Sequence, residues 1–172
     1  YKADVDDILS YNQITVDTKL SIGDVVIVPD GEIATASVSS SGSSKEPLLL
    51  NVNAYPTYVG YYQRPINSGR KSQGIHGYNG VDLAATTGTP IYAAADGKVI
   101  IARTSGYNGG YGLYVAIAHS NGTQTVYGHM SKVNVLVGQS VAQGQIIGAV
   151  GNTGRSTGSH VHFEIRGAKN PF

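Results

Sequence analysis

No stretch between residues 57 and 172 keeps a helical period for three turns, so a core built from this region has to come from strands. Short runs of strand-forming residues recur there: Pro90 to Ala94, Gly97 to Ala102, Leu113 to His119, Thr123 to Gly128, Gln145 to Val150 and Val161 to Ile165. Turn residues separate them. Asn121-Gly122, between the third and fourth runs, is a hairpin signal. Gly138 to Gly144 and Gly151-Asn-Thr-Gly154 mark further tight turns. The chain carries 23 glycines and 12 tyrosines but no tryptophan, a usage that suits many turns and short strands. The expected fold class is mostly β, an antiparallel sheet domain over residues 57–172 with a groove for its functional site.

Two segments precede that domain. Residues 1–30 read as a small α/β unit, in which Asp4 can cap a short helix with Val5, Ile8 and Leu9 as its apolar stripe. Gly23 to Pro29 then reads as a strand closed by Pro-Asp-Gly. Residues 31–56 read as a Ser/Gly-rich linker, because Ala34 to Ser44 is too small and polar to bury a core. Leu48-Leu49-Leu50 can pack on whichever neighbour is nearer. The chain starts at Tyr1 with neither an initiator Met nor a signal-peptide pattern, so it is expected to be a mature or excised form with its targeting segment removed.

Charge and composition narrow the function. A formal net charge of +1 is not the clustered basic footprint of a nucleic-acid binder. No apolar run approaches the roughly 20 residues of a membrane span. The chain has no cysteine, which removes disulfides and thiolate zinc ligands and leaves the compartment open.

The chemistry gathers around histidine. His160-Val161-His162 lies in a strand, where residues two apart face the same side about 7 Å apart. Val161, Phe163 and Ile165 then face the other side, as in a strand that walls a site. His76-Gly-Tyr-Asn-Gly-Val-Asp82 and Tyr127-Gly-His129 supply matching groups. Two histidines and one aspartate suit a catalytic zinc site with an open fourth position, and two more histidines remain for proton transfer.

These motifs fall in a familiar order. Gly80-Val-Asp82-Leu-Ala-Ala, Gly88-Thr-Pro90-Ile-Tyr-Ala, Tyr127-Gly-His129-Met, Gly138-Gln-Ser-Val-x-x-Gly144-Gln-x-Ile147-Gly148 and Gly154-Arg-Ser-Thr-Gly-Ser-His160-Val-His162-Phe-Glu resemble the lysostaphin-like, LytM-type zinc metallopeptidases over roughly residues 60–172. The resemblance implies one Zn2+ per chain, held by His76, Asp82 and His162, with His129 and His160 as catalytic residues. Which of those two takes the proton and which steadies the oxyanion stays open. It also implies an endopeptidase acting on bacterial peptidoglycan, in stem peptides or cross-bridges, outside the cytoplasmic membrane or in the cell wall. No nucleic-acid partner is expected, and a monomer is favoured. Ile8 to Ile14 with Leu20 to Pro29 resembles the second half of a LysM module, a glycan-binding family.

One spacing departs from the family's His-x-x-x-Asp. Tyr78 stands four residues before Asp82, and His76 stands six before it. A phenol of pKa near 10 would have to ionise to bind the metal, so His76 is the expected ligand. Gly77 allows the positive φ that a bulge of the two extra residues needs, and Tyr78 is expected to turn toward the groove. His119 reads as a turn-stabilising or surface residue. Tyr61, Tyr62, Tyr107, Tyr111 and Tyr114 could wall a groove for an extended peptide or simply be half-buried strand residues. Gly154-x-Ser156-x-Gly158 matches a serine-hydrolase elbow in letters, yet no helix follows it. Two other readings stand beside the enzyme: a non-catalytic activator of cell-wall amidases, and a latent form in which Asn51, Asn53 or a tyrosine fills the open metal position.

Overall fold

The computed structural model of the protein describes residues 55–172, with Leu9 and Asp17 as isolated positions ahead of them. The α/β unit read at 1–30, its LysM-like resemblance and nearly all of the linker read at 31–56 lie outside the described residues, as do Asn51 and Asn53. Nine strands follow: β1 (Arg70–His76), β2 (Gly80–Ala84), β3 (Pro90–Tyr92), β4 (Gly97–Arg103), β5 (Leu113–Ala118), β6 (Gln124–Val133), β7 (Ser140–Val141), β8 (Ile146–Val150) and β9 (His160–Arg166). Every pairing among them is antiparallel. The sheet runs β1-β2-β9-β6-β5-β4-β7, with β8 paired to β6 and β3 to β8. The fold is therefore mostly antiparallel β, as the absence of helical periodicity implied.

The Asn121-Gly122 signal marks a real hairpin: β5 pairs with β6, and Gly122 takes a φ of 79° at the turn. β6 runs past Gly128 to Val133 and, besides β5, serves two further partners. Its first half pairs with β9 from Gln124 to Gly128, and its second half pairs with β8 from Met130 onward.

Period-two alternation decides what each face of the sheet does. Val161, Phe163 and Ile165 of β9 are fully buried, in one core with Val81 and Leu83 of β2 and Tyr127 of β6. The other face of β9 carries His160, His162, Glu164 and Arg166, opposite Ala84, Asp82 and Gly80 of β2. That face continues across the sheet through Val126, Ala116 and Ile101, which are register neighbours. With Tyr111 and Tyr114 they form a second, smaller apolar cluster. The polar site thus lies at one end of a sheet face whose other end is dry.

His119 closes the hairpin mouth from inside. One ring nitrogen lies 2.8 Å from the Asp96 carbonyl and the other 2.8 Å from Thr125 Oγ1, with the Tyr61 and Tyr62 rings packed edge-on beside it. It is buried, which lowers its pKa. The turn-stabilising reading therefore holds and the surface one does not. The five tyrosines do not wall a common groove: Tyr62, Tyr111 and Tyr114 are buried in the two cores, while Tyr107 is exposed.

Candidate metal centre

Sheet register brings the chain's scattered histidines around one carboxylate. Asp82 of β2 sits directly opposite His162 of β9, and His162 Nδ1 lies 2.9 Å from Asp82 Oδ1. His76 ends β1 opposite Gly80, with its Nε2 3.3 Å from the same oxygen. His160 Nε2 stands 3.7 Å from it. The His129 ring lies 4.7 Å from that of His160 and 5.9 Å from that of His162, centroid to centroid. Four of the chain's five histidines therefore share one site with Asp82.

The backbone makes special provision for two of them. Between β1 and β2 the chain turns through Gly77 and Asn79, both at positive φ, 51° and 62°. This is the bulge that the longer His76-to-Asp82 spacing required. The Tyr78 ring lies against Arg166, with the guanidinium carbon 5.1 Å from the ring centroid. Stacking of a planar cation on an aromatic face accounts for this placement.

His129 is the second case. It takes a φ of 58° within β6, a conformation that β strands do not use and that clusters at functional sites. Tyr127 and Met130, three residues apart, both enter the same core, so strict alternation is broken between them. The irregularity leaves His129 on the side of the other histidines. Its main-chain N–H is held by the Tyr111 carbonyl at 2.7 Å.

Three of the histidines are anchored alike. Nδ1–H of His76 donates to Gly74 O at 2.7 Å, that of His129 to Thr153 O at 2.8 Å, and that of His160 to Gly158 O at 2.7 Å. Each anchor fixes the tautomer and leaves Nε2 with its lone pair. Ser156 Oγ also lies 3.2 Å from His160 Nδ1. That nitrogen is the donor to Gly158, so it cannot activate the serine as a base, and the elbow-like letters carry no hydrolase chemistry.

His162 is held differently, between two carboxylates. Nδ1 faces Asp82, and Nε2 lies 3.0 Å from Glu164 Oε1. Burial opposes a charge on this ring, but the hydrogen bonds to Asp82 and Glu164 and their charges outweigh it and lift the pKa to about 9. Burial likewise opposes charge on Asp82. The hydrogen bond from His162 and the three nearby imidazoles overcome it and lower the carboxyl pKa. For His129 burial dominates, aided by the neighbouring histidines, and the pKa falls to about 4.

This donor set fits a zinc ion. Its atoms on His76, Asp82 and His162 all lie within 4.8 Å of one another. Tetrahedral ligands at zinc distances would stand roughly 3.4 Å apart, and the 3.3 Å between His76 Nε2 and Asp82 Oδ1 already matches. Two imidazoles and one carboxylate leave a fourth position open, the pattern of catalytic zinc sites.

Sequence reading missed what stands behind the site. Glu164 is buried, and its Oε2 accepts a hydrogen bond from Arg166 Nε at 2.5 Å. Tyr111 donates its hydroxyl to Glu164 Oε1 at 2.6 Å and receives Arg166 Nη2 at 2.9 Å. The signal was available: Glu164 and Arg166 continue the period-two run of His160 and His162. Removing one partner of such a buried ion pair typically costs about 3–5 kcal/mol.

Comparison with known proteins gives the same picture. The chain is 41% identical over 128 residues to the DD-carboxypeptidase/endopeptidase Mpg of Neisseria meningitidis serogroup B, covering 73% of this chain and 26% of that protein. It is 48% identical over 88 residues to the peptidoglycan DD-endopeptidase ShyA of Vibrio cholerae serotype O1, covering 51% of this chain and 20% of that one. The chain thus spans about a quarter or less of the length of these two relatives. Its fold superposes on the antimicrobial peptidase lysostaphin from Staphylococcus simulans with a TM-score of 0.52 at 34% identity, over 60% of this chain and 46% of that one. The pattern of peptidase family M23 matches residues 76–172, more than half of the sequence and all five site residues, and the chain belongs to that family.

Proposed function

We propose that this protein is a zinc-dependent endopeptidase that hydrolyses peptide bonds of bacterial peptidoglycan, in stem peptides or cross-bridges. The observation that carries the reading is the convergence of His76 Nε2, Asp82 Oδ1 and His162 Nδ1 beside two further histidines whose Nδ1 atoms are fixed on main-chain carbonyls. The peptidoglycan substrate is taken from the relatives, two of which are named for endopeptidase activity. Action outside the cytoplasmic membrane follows from that substrate. Among the described residues no helix is long and apolar enough to cross a membrane.

His76, Asp82 and His162 would hold the metal. Zinc bound there supplies a Lewis acid that polarises a scissile carbonyl and acidifies water. The chain's own part is proton handling and orientation. His129 and His160 each present an Nε2 that can take a proton from the attacking water and return it to the leaving amine. Once protonated, either ring can also donate to the developing oxyanion. Anchoring through Nδ1 keeps both rings oriented while their Nε2 protonation changes.

The protein purified without chelators is expected to contain about one zinc per chain. It should release new amine termini from purified cell walls, lose that activity to a chelator and regain it with zinc. Elemental analysis and mass spectrometry of the digest read both. A chain that contains no metal and takes none up would refute the enzyme reading, and would favour a non-catalytic wall-binding role.

Space around His162 gives a second test. Gly80 lies opposite Glu164 in the β2–β9 ladder. A Cβ added to it would meet His162 Cε1 at 2.6 Å and Nε2 at 2.8 Å. Both are closer than real Cβ contacts allow, so Gly80→Ala has to push the ring. The variant is expected to bind zinc about tenfold more weakly, the low end for disturbed support of a metal ligand. Titration with zinc measures it, and unchanged affinity would show that the ring position is not critical.

A further inference from the structure

The face of β9 carries a ladder of four polar residues, His160, His162, Glu164 and Arg166. The proposed mechanism uses only the first two. We propose that Glu164 is a positioning residue: held by Arg166 and Tyr111, it takes the Nε2–H of His162 and so commits Nδ1 to the metal. This rests on the reading of His162 as a zinc ligand.

The hydrogen-bond directions support it. Tyr111 Oη receives Arg166 Nη2–H at 2.9 Å and donates its own proton to Glu164 Oε1, 2.6 Å away. The other carboxylate oxygen receives Arg166 Nε–H. Glu164 is therefore an acceptor on every side, and the atom 3.0 Å away on His162 must be a donor, Nε2–H. A neutral imidazole that carries its proton on Nε2 has its lone pair on Nδ1. Nδ1 faces Asp82 Oδ1 at 2.9 Å, and two acceptors at that distance need a proton or a cation between them.

The support is rigid for identifiable reasons. Glu164 is almost wholly buried, at 1% exposure, so water does not compete for its oxygens. The Tyr78 ring covers the guanidinium of Arg166. Gly80 leaves the space in which the His162 ring and the Glu164 side chain meet, since a Cβ there would lie 3.2 Å from Glu164 Cγ. Such outer carboxylates orient ligand histidines, and their loss typically lowers metal affinity 10–100-fold.

A purely structural role for Glu164, as the partner of a buried arginine, makes a different prediction, and two variants separate them. Glu164→Gln and Arg166→Gln both break the ion pair, but only the first takes the acceptor-only group from His162, because an amide must turn its N–H groups toward either His162 or Arg166. Zinc affinity, measured by competition with a chromophoric chelator, is expected to fall 10–100-fold in Glu164→Gln and no more than a few-fold in Arg166→Gln. Equal losses in the two, or no loss in Glu164→Gln, would overturn the proposal. Nitrogen-15 NMR of the zinc-loaded wild-type protein needs no variant to fold: His162 should show a protonated Nε2 and a metal-bound Nδ1. A protonated Nδ1 with the metal on Nε2 would also overturn it. Wild-type protein that takes up no zinc would fail the underlying functional reading. Zinc-binding, hydrolytically active wild type with indifferent Glu164 variants would fail this inference alone.

Discussion

Alanine at His162 is expected to strip the protein of zinc, whereas alanine at His160, two residues away, should leave the metal in place and abolish most of the hydrolysis. Both side chains project from the same face of β9, but the register separates their roles. His162 is opposite Asp82, and its Nδ1 approaches the carboxylate at 2.9 Å; His160 is opposite Ala84, and its Nε2 stays 3.7 Å away. On the proposed reading His162 holds the metal with Asp82, while His160 borders that position from a ring fixed on Gly158. Losing His162 removes one of three protein ligands and exposes the buried Glu164 to an empty space. Losing His160 removes a proton-transfer group, which ordinarily costs 10²–10⁴-fold in rate. Zinc content after dialysis, read beside the rate of release of amine termini from cell walls, distinguishes the two. Equal zinc loss in both variants would make His160 a ligand and break the division of roles.

The difference between what the sequence disclosed and what it concealed follows from the range of the interactions involved. The β5–β6 hairpin was legible because Asn121-Gly122 is a local signal that needs no partner. β9 was legible because it alternates cleanly, with Val161, Phe163 and Ile165 on the buried side. β1 was not: Arg70-Lys-Ser-Gln-Gly-Ile-His76 is exposed over nearly its whole length, and only pairing with β2 makes it a strand. The extension of β6 was hidden by His129, whose positive φ interrupts the alternation that periodicity reads. The Tyr78–Arg166 contact was hidden because the two residues are 88 positions apart in sequence and adjacent only through the fold. The residue types of the site, by contrast, were readable from chemistry, since few residue types bind zinc and those present cluster in three short motifs; which of them are ligands came from the family resemblance.

His76→Ala is expected to weaken zinc binding by more than the 10–100-fold typical of an outer partner, and Tyr78→Phe should leave it roughly unchanged. Gly77 at φ 51° and Asn79 at φ 62° fold the two extra residues away from the ladder, so that His76 pairs with Gly80 and stands beside the Asp82–His162 pair. The His76 Nδ1–H is bound to Gly74 O, and its free Nε2 comes within 3.3 Å of Asp82 Oδ1. Its ring also packs against that of His162 at 5.0 Å between centroids. The Tyr78 ring lies against the Arg166 guanidinium. A phenol there would have to leave that contact and lose a proton before it could bind the metal, two unfavourable steps that a neutral imidazole avoids. Zinc titration of the two variants decides the matter. Retention of zinc by His76→Ala together with its loss in Tyr78→Phe would transfer the third ligand to the tyrosine and require the β1–β2 turn to rearrange around the metal.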